Sequence, residues 1–243
     1  ENVIEHISFT AGTGKVTAII GGTGSGKSTL VNLIPRFYDV TSGKITIDGE
    51  DIREITQKSL RDAIGYVPQK GVLFSGTIAS NLKYGKEDAT QKQIEEAISI
   101  AQAKEIVDGK KDGYNSTIAQ GGSNVSGGQK QRFSIARAIV KEPKIYIFDD
   151  SFSALDYKTD AVLRKELSKK TKSATVLIVA QRISTILHAD QIIVLEEGKI
   201  AGIGTHRELM ENCSVYQEIA ASQLSEGDLD KLAEGRKEGK ANE

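Results

Sequence analysis

Cysteine is nearly absent from this chain of 243 residues. Cys213 stands alone, so no internal disulfide can form, which fits a reducing compartment. Long apolar runs are missing too: no stretch approaches the roughly 18 residues that a membrane-spanning helix needs. Residues 1–15 carry His6 and Lys15 and lack the apolar core of a secretory signal. Neither sign of charge dominates, because 32 Lys+Arg against 33 Asp+Glu leave a formal net charge of −1. That balance gives no electrostatic footprint for nucleic acid. His6, His188 and His206 show no ligand spacing and read as surface or structural residues. There is no internal repeat. The expectation is a soluble chain with one large core or two small ones, which can still form part of a membrane-bound assembly.

What is present alternates between short β-rich runs and longer helical patterns, which predicts an α/β fold with a mainly parallel sheet. The runs at 15–20 (KVTAII), 144–148 (KIYIF), 175–180 (TVLIVA) and 191–195 (QIIVL) read as buried strands. Two hairpins are expected, turning at Asp48-Gly49 and at Glu197-Gly198, so an antiparallel β portion should lie beside the parallel one. The middle is helical. Over 91–106, Ile94, Ala97, Ile98, Ala101 and Ile106 share a face; over 126–140, Phe133, Ala136, Ile139 and Val140 do. The simplest architecture is a core of about 1–74 and 143–222 with an inserted α-helical subdomain at about 75–142. Pro143 closes the insertion, because proline cannot continue a helix. The charged, glycine-rich residues 223–243 read as a disordered tail.

Between the first strand and the apolar helix that follows lies GGTGSGKST: Gly21, Gly22, Thr23, Gly24, Ser25, Gly26, Lys27, Ser28 and Thr29. It fits the phosphate-loop pattern G-x-x-x-x-G-K-[ST] in its strand–loop–helix context. Glycines let the backbone coil around a phosphate with its amides aimed inward, and the helix start adds free donors and positive dipole. Lys27 would charge-pair with β- and γ-phosphates, and the Ser28 hydroxyl would take one position on Mg²⁺. ATP and Mg²⁺ are thus the expected cofactors. A metal-side carboxylate is needed at the end of another buried strand, and Asp149 fits, with Asp150 nearer the γ-phosphate. Farther along, Ser126, Gly127 and Gly128 open a helix with uncovered amides, a second candidate anion site beside the bland reading of a ligand-free helix start.

With these stretches together, the chain resembles the nucleotide-binding domain of an ATP-binding-cassette (ABC) transporter over about residues 1–222. GGTGSGKST looks like the Walker A loop, IYIFDD (145–150) like Walker B, VSGGQ (125–129) like the signature and SALD (153–156) like the D-loop. YVPQK (66–70) places Gln69 as the Q-loop glutamine, a ligand of metal and attacking water. The resemblance implies a P-loop, RecA-like core and a head-to-tail pair of domains. Each ATP then lies between the P-loop of one domain and the signature residues Ser126, Gly127, Gly128 and Gln129 of the other, with Asp156 reaching across. It also implies a transmembrane domain as partner and a place at the cytoplasmic face of a membrane. Residues 67–85 and 113–128 are similar to the exporter branch, although Gln120 stands where that branch usually has Glu. The adenine-stacking aromatic of the family would lie upstream of Glu1. Tyr66 and Phe74, which flank Gln69, read as packing residues.

Two positions depart from the family. The general base after the Walker B aspartate is normally Glu, and here it is Asp150; the switch residue is normally His, and here it is Gln181. The expectation is a chain whose own site binds ATP but hydrolyses it slowly, with an intact signature that serves a different partner chain in a heterodimer. A homodimeric exporter with functional Asp150 and Gln181, and a nucleotide-gated regulatory module, stay open. A stand-alone importer subunit is disfavoured by residues 67–85, and a coiled-coil ABC ATPase is excluded by the absence of heptad arms.

Overall fold

A computed structural model describes residues 3–223; the expected tail lies, from residue 224 on, outside the described residues. The first apolar run forms Val16–Gly21 (β1), and the helix after the glycine loop is Lys27–Leu33 (α1). Thr46–Ile47 (β2) and Glu50–Asp51 (β3) make the first expected hairpin. Asp48 and Gly49 in its turn have φ of 52° and 87°, which suits the left-handed turn that Asp-Gly favours. Gln57–Asp62 (α2) leads to Ile64–Val67 (β4). The strand pair Gly76–Thr77 (β5) and Thr117–Ile118 (β6) brackets Ile78–Lys83 (α3), Gln91–Ile100 (α4) and Lys104–Asp108 (α5), and Gly127–Lys141 (α6) follows. The chain then returns to the main sheet through Ile145–Asp149 (β7), Tyr157–Lys170 (α7) and Thr175–Val179 (β8). Ile183–Ile186 (α8) precedes the second hairpin, Gln191–Glu196 (β9) and Lys199–Gly204 (β10). The helices His206–Asn212 (α9) and Ser214–Gln223 (α10) close the described chain.

Six strands form one sheet in the order β10-β9-β1-β8-β7-β4, parallel except for β10, which runs antiparallel to β9. Both faces are covered, so neighbouring residues on a strand point into different cores. Ile19, Ile147 and Val179 pack with Leu30, Val31 and Leu60 on one side; Ala18, Ile20, Phe148 and Ile178 pack with Phe133, Leu163 and Ile183 on the other. Because β1, β8, β7 and β4 are parallel neighbours, their C-terminal ends line one edge of the sheet, where the loops of an open α/β sheet bind ligands. The sequence reading missed β4. Only four residues long, it contains Gly65, where a Cβ would press on the Pro143 ring and the Ala138 side chain. Close packing, not strand propensity, selects the residue there.

Helices α3 to α6 lie between β4 and β7, which are hydrogen-bonded neighbours. The expected single helix over 91–106 is broken. Gln102 turns left-handed (φ 55°), and its backbone carbonyl accepts a hydrogen bond from Arg132 Nη1 at 2.7 Å. The expected apolar face survives the break, for Ile94, Ala97, Ile98, Ala101 and Ile106 are all buried. The second predicted face is buried too, and α6 ends at Lys141 with Glu142 left-handed before Pro143. Glu142 accepts hydrogen bonds from Lys170 at 3.1 Å, Gln93 at 3.3 Å and Lys86 at 3.4 Å, joining the ends of α6 and α7 to α4. The insertion shares one continuous apolar cluster with the sheet. Ile98→Ala, at a fully buried site in α4, should therefore cost about 2–5 kcal/mol. It should lower a single thermal transition, followed by circular dichroism, by roughly 5–15 °C. A separate early transition would show that the insertion melts on its own.

Candidate nucleotide site

The phosphate loop leaves β1 at Gly21 and enters α1 at Lys27. Gly24 and Gly26 have φ of 80° and 95°, a backbone that side chains with a Cβ rarely adopt. Gly26 caps α1 with no side-chain hydrogen bond, so no side chain at the cap competes for the first amides. Thr23 and Gly22 are exposed on the loop, Ser25 is buried and Thr29 is half-buried on α1. Lys27 curls beneath the loop, its Nζ donating to Gly21 O at 2.8 Å and Gly22 O at 2.7 Å, with Ser25 Oγ at 3.4 Å. Burial pushes the Lys27 pKa down, and the nearby Asp150 and Asp149 charges oppose that.

Two hydroxyls meet at the carboxylate of Asp149, the last residue of β7. The Ser28 hydroxyl donates to Asp149 Oδ1 at 3.0 Å, and the Tyr66 hydroxyl donates to Oδ2 at 3.2 Å. Burial pushes the Asp149 carboxyl upward, while these two hydrogen bonds favour its ionised form. Among the described residues no group of three His, Cys, Asp or Glu side chains could hold a metal alone. One carboxylate and one hydroxyl fit a hard cation that takes its other oxygens from phosphates and water, as Mg²⁺ does.

Asp150 begins the next turn in a left-handed conformation (φ 47°), its backbone N–H donating to Val179 O at 3.0 Å. Its Oδ2 accepts two amide hydrogen bonds, from Gln181 Nε2 at 2.6 Å and from Gln69 Nε2 at 3.0 Å. Gln69 follows β4 and Gln181 follows β8, so strands on either side of β7 deliver both amides. Two further contacts brace this turn. Ser151, wholly buried, donates to Val67 O at 2.8 Å, and Gln223 Nε2 donates to Gln181 O at 2.6 Å.

The structure thus brings Lys27, Ser28, Gln69, Asp149, Asp150 and Gln181 together. It places Ser126, Gly127, Gly128, Gln129 and Asp156 elsewhere; among the described residues no hydrogen bond joins them to that group. Ser126 and Gln129 cap each other at the start of α6: Gln129 N–H donates to Ser126 Oγ at 3.3 Å and Ser126 N–H to Gln129 Oε1 at 3.2 Å. A Cβ on Gly128 would sit 3.3 Å from Ala154 O, so this helix start packs on the turn before α7. Asp156 caps α7, accepting from Thr159 N–H at 3.0 Å; the Thr159 side chain first, and this backbone bond second, hold its carboxyl below the usual range. Phe74 touches Tyr84 at 4.7 Å and lies beneath Arg137 at 5.5 Å, but it is half-exposed and not part of the core. Tyr66 does more than pack. Its contact with Asp149 depends on the register of β4 against β7, which no local signal encodes.

A family model described as ABC transporter matches residues 4–153. A Mycobacterium tuberculosis protein named "Uncharacterized ABC transporter ATP-binding protein Rv1273c" is 51% identical over 91% of this chain and 38% of its own length. The Bacillus subtilis protein named "Putative multidrug export ATP-binding/permease protein YgaD" is 46% identical over 90% of this chain and 38% of its own. A solved structure titled "Structure of a bacterial Atm1-family ABC exporter with ATP bound" superposes with a TM-score of 0.89 at 38% identity, covering 92% of this chain and 39% of that one. The chain spans well under half the length of these relatives. With the family model matching residues 4–153 and a matching fold, the chain belongs to the ABC transporter family.

Proposed function

We propose that this chain is the ATP-driven motor domain of an ABC exporter whose own P-loop site holds ATP with little turnover. Its Ser-Gly-Gly helix start would complete a working site on a different partner chain. The exporter half of the reading is supported by the relatives named for multidrug export and by the likeness to an ABC exporter with ATP bound. The observation that carries the second half is the double amide clamp on Asp150, from Gln181 at 2.6 Å and Gln69 at 3.0 Å.

Asp is one methylene shorter than Glu, so its carboxylate retreats by roughly 1 Å. A misplacement of that size at a reacting centre can cost about 100-fold, or about 2.7 kcal/mol of barrier. The clamp adds to this. Both amides occupy one oxygen of Asp150, so a water oriented by this residue must use the other, Oδ1. Gln181 is neutral and bonded to the base. Its second amide N–H can still donate to a γ-phosphate oxygen, but unlike imidazole it cannot carry charge or exchange a proton. These losses fall on the transition state, and ground-state binding through the glycine loop and Lys27 is spared. Ser28 and Asp149 would hold Mg²⁺, which neutralises charge on the β- and γ-phosphate oxygens when bound.

The partners follow from the same reading. Among the described residues no helix is long and apolar enough to cross a membrane, so transport requires a transmembrane domain from the same or an associated polypeptide. It would dock at the cytoplasmic face near Gln69, where Val72, Phe74 and Tyr84 are exposed beside a groove of about 230 Å³ lined by Phe37, Arg61, Tyr66 and Arg137. The second nucleotide-binding domain would supply a signature to this P-loop and receive Ser126, Gly127, Gly128 and Gln129 in return.

Steady-state ATP hydrolysis of the parent and of Asp150→Glu/Gln181→His tests the reading, with ATP affinity measured alongside. The double variant should gain at least about tenfold in turnover at similar affinity. Equal and appreciable rates would favour a homodimeric exporter in which Asp150 and Gln181 suffice. Negligible turnover in both would favour a nucleotide-gated regulatory module.

A further inference from the structure

We infer that Tyr66 is a positioning residue for Asp149, holding the metal-side carboxylate from the strand that leads into the Gln69 loop. The inference rests on the reading of Asp149 as the Mg²⁺ carboxylate. Tyr66 is the third residue of β4 and pairs in register with Ile147 of β7, two residues before Asp149. Its ring packs edge-on against Phe37 at 5.4 Å and an interplanar angle of 81°. Both rings line one groove, and their contact holds the Tyr66 ring in place. The hydroxyl lies 3.2 Å from Asp149 Oδ2 and 2.9 Å from the Asn32 side-chain amide on α1; we assign its one proton to the carboxylate, with the Asn32 amide turned so that its N–H donates to the phenol oxygen.

Ser28 and Tyr66 therefore divide the carboxylate between them, one on each oxygen. Ser28 comes from the phosphate-loop helix. Tyr66 comes from the far edge of the sheet and continues, three residues on, into Gln69, which bonds Asp150. Both carboxylates at the end of β7 are thus tied to the same short segment, 66–69. Partners that orient a ligating carboxylate typically change metal affinity by 10–100-fold when removed. Tyr66 has no donor aimed at a nucleotide, so its effect should appear in metal binding and be absent from metal-free nucleotide binding.

Tyr66→Phe keeps the ring and its packing and removes only the hydroxyl. Equilibrium dialysis with radiolabelled ATP, in EDTA and across a Mg²⁺ titration, should give metal-free affinity within about twofold of the parent. The Mg²⁺ concentration at half-maximal enhancement should rise at least about tenfold. An unchanged Mg²⁺ midpoint would overturn the inference, and so would an equal loss with and without Mg²⁺, which marks a purely structural residue. Asp149→Asn, run in parallel, separates the two levels. If it abolishes the Mg²⁺ enhancement while Tyr66→Phe does not alter it, only the role of Tyr66 fails. If Asp149→Asn keeps the enhancement, the metal-carboxylate reading fails, and the inference with it.

Discussion

Parallel pairing of β4, β7, β8 and β1 is the constraint on which the site depends. Four strands that run the same way must release their following loops at one edge. That edge carries the phosphate loop after β1, Gln181 after β8, Asp149 and Asp150 at the end of β7, and Gln69 after β4. None of these residues is near its partner in sequence: Ser28 and Asp149 are 121 positions apart and bond at 3.0 Å. The side chains can be short because the strands have already closed the distance. Asp149 and Tyr66 meet across the neighbouring strands β7 and β4, and Ser28 reaches Asp149 from the start of α1, without long, entropically expensive linkers.

The same geometry explains why two substitutions can matter together. Asp150 is fixed by its backbone, through its N–H bond to Val179 and a left-handed φ, so it cannot advance to recover the reach of a glutamate. Gln181 lies on the adjacent strand end and bonds the shortened carboxylate at 2.6 Å. A glutamate at 150 would carry its carboxylate one methylene farther from the backbone. An asparagine or glutamine amide is an adequate hydrogen-bond donor and a poor proton carrier. On the proposed reading, binding and turnover are separable for that reason: the glycine loop and Lys27 would act on the ground state as well, and the Asp150 cluster would act on the transition state.

Much of this was legible in the sequence, and the rest had a physical reason to be hidden. The phosphate loop was legible because Gly24 and Gly26 must adopt positive φ, so backbone geometry is written directly as residue type. Asp48-Gly49 and Glu197-Gly198 marked their turns for the same reason, and four buried strands showed as Val- and Ile-rich runs. β4 was hidden because four residues with a glycine selected for packing carry no strand signature. The break at Gln102 was hidden because Arg132, thirty residues on, holds the carbonyl at that point. Tyr66 on Asp149 and Gln223 on Gln181 are contacts between segments whose register appears only in the folded sheet. Asp156, expected to reach across a pair of domains, caps α7 within its own chain.

The sharpest single measurement is a chemical quench with the chain in excess over radiolabelled ATP and Mg²⁺, reading the identity of the bound nucleotide over time. A P-loop site that retains ATP predicts conversion slower than about 0.01 per second, some 100-fold below a working site near 1 per second. Bound ADP accumulating at about 1 per second would contradict it, and Asp150 with Gln181 would then be a competent catalytic pair.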